Sequence, residues 1–296
     1  MKEKQFSKYQ ILANAVMIIW TLAIILPFIL LFMSSITDEN TLVANGYSFF
    51  PKKFSLASYS YIIKSGGQIL KAYGVSIGVT VVGNLLNVLL SALMAYPLSV
   101  KNLPGRNVMM FFVFFTMLFN GGIVPSYIMW TGTFHIKDTI FAQLLPNFLL
   151  SAWNVMMIRT YFTTSIPDGL YEAAEIDGAS QFTIFWKIVL PLGKPILVTM
   201  GTFAGLAYWN DWTNGLYYIV KNTGLYNVQN LLNQMVQNIQ FLTQSSNSNV
   251  TAAASTIPAT GIQMAIAFVA ILPIMLIFPS FQKYYAKGIA LGAVKG

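Results

Sequence analysis

The sequence contains no cysteine and a single histidine, His135. The absence of cysteine excludes a disulfide scaffold, a thiolate metal site and a cysteine nucleophile. Charged residues are also scarce: they make up 9% of the 296 residues, whereas soluble domains carry about a quarter. Because 56% of the residues are hydrophobic and the mean hydropathy is +0.62, the sequence predicts a membrane protein.

Basic residues outnumber acidic ones, 17 against 9, which gives a net charge of +8. They are scattered along the chain instead of forming a run, which argues against a nucleic-acid partner. We therefore interpret them as signals of membrane topology.

Apolar segments long enough to cross a bilayer as helices occur at residues 11–34, 72–100, 107–130, 139–160, 195–219 and 261–282. A transmembrane barrel would need short segments that alternate apolar and polar side chains, but residues 109–119 are apolar on both faces. The sequence therefore predicts an all-α membrane protein with six transmembrane helices, in a single domain over residues 1–296.

The distribution of lysine and arginine predicts the orientation. With six crossings, 11 of the 17 basic residues lie on the side of the membrane that holds both termini. Because cytoplasmic loops carry the excess of lysine and arginine, both termini are expected in the cytoplasm. This topology places residues 160–194 in a cytoplasmic loop and residues 35–71 and 220–260 outside.

The loop at 160–194, called the acidic loop below, holds four of the nine acidic residues: Asp168, Glu172, Glu175 and Asp177. Ser165 or Asp168 is expected to cap a short helix that ends at Gly178, where glycine permits a sharp turn. A second helical stretch is predicted at 181–189. The loop is thus predicted to be a helix, a turn and a helix outside the membrane.

Three short motifs in this loop lie at fixed spacing: Glu172-Ala173-Ala174, then Gly178 after three residues, then Ile188-Val189-Leu190-Pro191 after nine more. This pattern resembles the EAA loop of importer-type ATP-binding-cassette (ABC) permeases. The resemblance implies the type I importer permease fold, with a coupling helix that sits in a cleft of a cytoplasmic ATPase. The residues that would couple to the ATPase are Glu172, Ala173, Ala174, Asp177, Gly178, Ile188, Leu190 and Pro191.

The same resemblance implies the partners. They are two ATPase subunits that carry ATP and Mg, a second and homologous permease subunit, and an extracellular solute-binding lipoprotein. No G-x-x-x-x-G-K-[ST] phosphate-binding loop occurs in this sequence, so no nucleotide cofactor is expected on this chain. The chain is accordingly predicted to be a non-catalytic transport subunit.

Other motifs resemble the carbohydrate branch of the family, and in particular the LplC- and YtcP-like permeases of Gram-positive bacteria. These are Trp209-Asn210-Asp211-Trp212, Phe50-Pro51-Lys52 and the C-terminal segment 282–296. The resemblance implies import of oligosaccharides across the bacterial plasma membrane. In maltose-type relatives the tail reaches the ATPase interface, which implies such a contact for Ala293, Val294, Lys295 and Gly296.

The fifth predicted crossing carries polar and aromatic side chains in the outer part of the membrane: Trp209, Asn210, Asp211, Trp212 and Asn214. Aromatic rings stack on sugar rings and amides bond hydroxyl groups, so this segment is one candidate for the substrate pathway. The alternative is that the tryptophans lie at the membrane interface and Asp211 bonds a neighbouring subunit.

An uncharged amphipathic helix is predicted outside the membrane, with its apolar face formed by Val228, Leu231, Leu232, Met235, Val236 and Ile239. A helix that lies on anionic lipid is typically rich in lysine, so a protein partner is favoured. The resemblance suggests the binding protein, with 245–249 as a flexible tip.

Two other functions remain as alternatives. One is an ABC permease for a solute that is not a sugar. The other is an ion-coupled secondary carrier, although such carriers usually show inverted repeats, which this sequence lacks.

Overall fold

The computed structural model describes residues 8–64, 66–244 and 259–293. Within these ranges the secondary structure is helical, apart from one isolated antiparallel bridge between Thr37 and Phe54. The α-helices are α1 (Lys8–Ser35), α2 (Glu39–Asn45), α3 (Ala57–Lys64), α4 (Gly66–Ser99), α5 (Arg106–Leu118), α6 (Ile123–Ile128), α7 (Phe141–Leu144), α8 (Ala152–Ser165), α9 (Asp168–Ile176), α10 (Gln181–Ile184), α11 (Leu190–Leu192), α12 (Lys194–Asn210), α13 (Thr213–Tyr218), α14 (Val228–Gln244) and α15 (Ala259–Ala293). Single π-helical turns follow α6 at Met129–Thr133 and α10 at Phe185–Val189.

Three helical segments are individually long and apolar enough to cross a membrane: Tyr9–Ser35, Gly66–Ser99 and Ala259–Ile277. They confirm the helices predicted at 11–34, 72–100 and 261–282. Their side chains are apolar around most of the helix, as expected where hydrocarbon replaces water.

Two further segments are bent pairs of helices. The predicted span 107–130 consists of α5 and the helix Ile123–Thr133, which are bent by 109° at the glycines before Ile123. In the second pair, Gln181–Leu192 meets α12 at 78°. That bend lies before the predicted span 195–219. The span itself is interrupted further along, because α12 ends at Asn210 and α13 begins at Thr213.

The continuous helix predicted at 139–160 is wrong. The four-residue α7 is followed by Pro146, which has no N–H to donate, and by Asn147, whose φ of +67° is left-handed. Helical structure resumes only at Ala152. Among the described residues, three helices qualify as membrane spans, or five if each bent pair counts as one, against the six predicted.

Contacts group the chain into two compact units, each made of two stretches of sequence. The first unit combines residues from 1–69 and 232–274, and the second combines residues from 70–231 and 275–296. In the first unit, the Glu39 carboxylate accepts hydrogen bonds of 2.8 Å from the backbone N–H groups of Thr260 and Gly261, at the start of α15. These bonds satisfy N–H groups that the first turn of a helix leaves without partners.

The largest buried cluster of the second unit contains the acidic loop. Side chains from α4 and α8 pack with side chains from the loop; they include Ala92, Ala95, Leu98, Val155, Ile158, Phe162, Ile184, Phe185 and Val189. Because these apolar groups share one core, the loop is held against the ends of α4 and α8.

Candidate functional site

The first helix of the acidic loop, α9, begins without a side-chain cap. The residue before it is Pro167, and neither Ser165 nor Asp168 occupies the capping position. The predicted caps are therefore wrong, because Ser165 is still the last residue of α8 and only two residues connect the helices. Asp168 is instead the first helical residue, where a carboxylate favours the positive end of the helix dipole. It forms an exposed ion pair with Lys101.

The α9 helix ends at the predicted glycine. Gly178 has a φ of +74°, and its N–H donates to the carbonyl oxygen of Glu175 at 3.0 Å. The N–H of Ala179 donates to the carbonyl oxygen of Ala174 at 2.9 Å. No heavy atom lies within 4 Å of the place where a Cβ would stand at Gly178, so backbone conformation, not crowding, requires glycine there.

The predicted coupling residues divide into two groups. The exposed ones are Glu172, Ala173, Asp177, Gly178 and Pro191. By contrast, Ala174, Ile188 and Leu190 pack into the loop's own core cluster. These three hold the loop in place, and only the exposed group is available to a partner.

The sequence analysis did not single out the exposed apolar side chains of this loop, among them Ile176, Phe182 and Trp186. Ile176 is 87% exposed, Phe182 67% and Trp186 44%. The rings of Phe182 and Trp186 meet edge to face, with centroids 5.9 Å apart. Apolar residues in a short acidic segment outside every predicted span were the signal that could have identified them. Exposed apolar groups of this size are typical of protein–protein contacts.

The residues proposed for a substrate pathway are also divided. Asn210 and Trp212 are exposed, whereas Trp209, Asp211 and Asn214 are buried. The Trp209 ring lies 6.2 Å from that of Tyr73. The structure therefore does not bring all five side chains onto one accessible surface.

Asp211 caps the helix that follows it. Its Oδ1 accepts hydrogen bonds from the backbone N–H of Thr213 at 3.0 Å, the hydroxyl of Thr213 at 2.7 Å and the N–H of Asn214 at 3.3 Å. This carboxylate oxygen therefore stabilises the break between α12 and α13.

A buried network of amides surrounds the same break. The Asn227 side chain donates to the carbonyl oxygen of Asp211 at 2.6 Å and to Oε1 of Gln143 at 3.3 Å. Asn230 donates to the carbonyl oxygen of Trp212, and Asn214 donates to that of Pro146 at 3.1 Å. Irregular backbone at membrane depth has to find its hydrogen bonds within the protein, and these amides supply them. Asn227 and Asn230 were missed because they lie in the start of the predicted outer helix.

The predicted tail contact lies largely outside the described residues. Ala293 is the last residue of α15, and Val294, Lys295 and Gly296 are not described. The predicted flexible tip at 245–249 also falls outside the described residues.

Long apolar helices, bent helix pairs and a helical loop with an exposed acidic and apolar surface define a helical membrane protein of several spans. Within that class, the chain belongs to the family of binding-protein-dependent transport system inner membrane components, whose sequence profile matches residues 72–291. The match includes the acidic loop, and it confirms the family predicted from the EAA motif.

Curated relatives cover nearly the whole chain. Protein LplC of Bacillus subtilis (strain 168) is 36% identical over 92% of this chain and 90% of its own length. The polygalacturonan/rhamnogalacturonan transport system permease protein YtcP of the same organism is 35% identical over 97% of this chain and 98% of its own length.

A solved structure is also similar over nearly its full length. It is a chain of a bacterial ABC transporter involved in the import of the acidic polysaccharide alginate. The TM-score is 0.78 at 25% identity, and the alignment covers 96% of this chain and 99% of that one.

Proposed function

We propose that this chain is the membrane-spanning permease subunit of an ATP-driven importer of carbohydrates, and that oligosaccharides are its substrates. The observation that carries the proposal is the surface of the acidic loop. Among the described residues, no hydrogen bond or ion pair engages the side chains of Glu172 and Asp177, and Ile176 between them is 87% exposed. Such a surface suits a protein partner that offers hydrogen-bond donors around an apolar cleft.

Carbohydrate is the preferred substrate class because YtcP and the similar solved structure are both named for the transport of polysaccharides. Polygalacturonan and alginate, named for two of them, are both acidic polysaccharides, so acidic oligosaccharides are the first substrates to test. Asn210 and Trp212, the exposed members of the predicted pathway, have the amide and aromatic groups that suit sugar hydroxyls and ring faces.

Several partners follow from this function. Two cytoplasmic ATPase subunits supply ATP and Mg, since the sequence contains no phosphate-binding loop. A homologous permease forms the second half of the pathway, and an extracellular lipoprotein delivers the sugar. The last residues, 293–296, make a second contact with the ATPases.

The proposed topology has six crossings of the bacterial plasma membrane, with both termini in the cytoplasm. The fourth crossing consists of α7, the irregular residues 145–151 and α8. The bias of lysine and arginine supports this arrangement.

In the proposed mechanism, ATP binds more tightly to the closed ATPase pair than to the open pair. Closure draws the two acidic loops of the permease pair together and opens the pathway outward, and hydrolysis restores the inward-open state. Only this difference in affinity can shift the equilibrium between the two states.

Transport by the reconstituted complex tests the proposal. Proteoliposomes should contain both permeases and the ATPases, with binding protein added, and uptake of acidic and neutral oligosaccharides should be measured with and without ATP. Glu172→Ala and Ile176→Ala should each lower ATPase binding and uptake by roughly tenfold, as expected for central interface contacts. Val43→Ala is a suitable control, because Val43 is 70% exposed on the opposite predicted side.

Uptake that persists without the ATPases and follows a sodium or proton gradient would overturn the proposal in favour of a secondary carrier. Uptake of a non-sugar solute under the same ATP dependence would keep the importer but change its substrate class.

A further inference from the structure

A buried tyrosine connects α4 to the acidic loop. Tyr96 lies one turn before the end of α4 and is only 8% exposed. Its hydroxyl donates a 2.5 Å hydrogen bond to Oε1 of Gln181, the first residue of α10. The Gln181 amide in turn donates to Oε1 of Glu175 at 2.8 Å, in the last turn of α9. A chain of two hydrogen bonds therefore connects α4, α10 and α9.

The ring of Tyr96 contacts the same loop. It stacks on Tyr171 of α9 with centroids 6.4 Å apart, and it meets Phe185, in the π-helical turn after α10, at 5.5 Å. Ala174 belongs to the same buried cluster. Tyr96 thus touches each helical segment between residues 168 and 189.

A second connection between α4 and the loop is an ion pair. Lys101, just beyond α4, pairs with Asp168 at the start of α9, and the two side chains are 59% and 57% exposed. Ion pairs this exposed contribute little, because water and salt screen them. The hydrogen bond between Gln181 and Glu175 is also exposed. The buried ring of Tyr96 and its contacts with Tyr171 and Phe185 therefore make the tyrosine the stronger connection.

The three acidic residues of α9 have different surroundings. Glu175 accepts the hydrogen bond from Gln181, which in turn bonds Tyr96, whereas Glu172 has no hydrogen bond or ion pair among the described residues. Asp168 meets Lys101. On α9, Glu175 thus bonds within its own unit, whereas Glu172 is left exposed to a partner.

We propose that Tyr96 is a positioning residue that couples transport to ATP hydrolysis: through Gln181 and Glu175 it fixes the acidic loop to α4, so that movement of α9 by the ATPase moves α4. The inference rests on the proposed function, and it adds which membrane helix receives the motion. A rigid connection is needed because a loop that slides on α4 would absorb the displacement of α9 instead of transmitting it.

The main test removes the hydroxyl group of Tyr96. Tyr96→Phe keeps the ring contacts with Tyr171 and Phe185 but loses the hydroxyl. In the reconstituted full complex, the number of sugars imported per ATP hydrolysed should fall about fivefold, as expected for the loss of one partly buried hydrogen bond. Assembly and basal ATP hydrolysis should remain. A purely structural role would lower the amount of assembled complex without changing this ratio.

A pair of substitutions that reverses the hydrogen bond between Gln181 and Glu175 tests whether coupling can be rescued. In Gln181→Glu the new carboxylate still accepts from Tyr96 but cannot donate to Glu175, and it repels that carboxylate. Adding Glu175→Gln restores a donor at position 175. The single variant Gln181→Glu should therefore lose coupling, and the double variant should recover it. Lys101→Gln, which breaks only the exposed ion pair at the end of the same helix, is the control and should keep the wild-type ratio.

Wild-type ratios in both Tyr96→Phe and Gln181→Glu would overturn the inference, and so would losses that match the loss of assembled complex. If the wild-type protein imports sugar without ATPase, the proposed function itself has failed, and that result is visible before any variant is made.

Discussion

At the scale of single residues, environment decides the role of each acidic side chain. Glu172 is exposed on α9, Asp211 is buried and caps α13, and Asp138 organises a loop. The sequence identified the first from a motif. For Asp211 the sequence left two explanations open. The depth of this residue in the membrane follows from its position along a helix, but the sequence does not show which groups it bonds.

Gly178 is expected to be required for its backbone conformation. Gly178→Ala should destabilise the turn by about 1 kcal/mol, because a left-handed φ is costly for residues with a Cβ. Gly178→Asn should cost less, since asparagine tolerates this region. Thermal unfolding and ATPase co-purification measure the effect. Gly169→Ala is the control: Gly169 lies within α9 with open space around it, so the change should be neutral or stabilising.

Asp138 provides a test of how one carboxylate organises a loop. Its Oδ1 accepts hydrogen bonds from the backbone N–H groups of Val220 at 2.7 Å, Lys221 at 2.7 Å and Asn222 at 3.2 Å. These bonds, the one from Lys221 first, lower the pKa of Asp138 below its ordinary value. The stabilisation is therefore present above the ordinary pKa of aspartate and is lost as the pH falls through the lower pKa of the folded protein.

Hydrogen exchange at residues 220–222 measures this effect. Asp138→Gly keeps the left-handed φ of +59° but removes the acceptor, so these amides should exchange roughly tenfold faster at neutral pH. Asp138→Asn, which keeps an acceptor without the charge, should lie between. If all three proteins exchange equally at neutral pH, the carboxylate does not organise this loop.

At the scale of helices, a glycine is required for packing only where another element lies close to its backbone. Gly74, Gly78 and Gly83 all lie in the apolar α4, where small residues allow helices to approach closely, and the sequence alone does not distinguish them. The structure separates them: a Cβ at Gly83 would overlap the ring of Tyr208 on α12, whereas Gly74 and Gly78 have open space.

This difference yields a matched pair of variants. Gly83→Ala should destabilise the protein by about 1–3 kcal/mol, because the buried Tyr208 ring has no room to move and its hydroxyl donates to the carbonyl oxygen of Leu144 at 2.8 Å. Gly78→Ala should be tolerated. Thermal unfolding in detergent compares the two, and equal midpoints would contradict the packing.

At the scale of the whole molecule, the lack of cysteine allows a direct test of topology. Ile176 and Phe50 are both 87% exposed, and the proposed topology places them on opposite sides of the membrane. A membrane-impermeant maleimide should label Phe50→Cys in intact cells, and it should label Ile176→Cys only after permeabilisation. Labelling of Ile176→Cys in intact cells would place the acidic loop outside and remove the basis of the proposed coupling.

Hydrophobic patterning and motif spacing correctly predicted the helical membrane class, the family, the turn at Gly178 and the amphipathic helix that begins at Val228. These are local properties, set by hydrophobic runs, spacing and the conformational freedom of glycine. Three features are visible only in the folded chain: the helix break within residues 139–160, the buried amide network around Asp211, and the contact of Tyr96 with the acidic loop. These features depend on contacts between residues far apart in the sequence, such as Tyr96 and Gln181 at a separation of 85 positions, and no local pattern encodes which distant side chain will meet a given group.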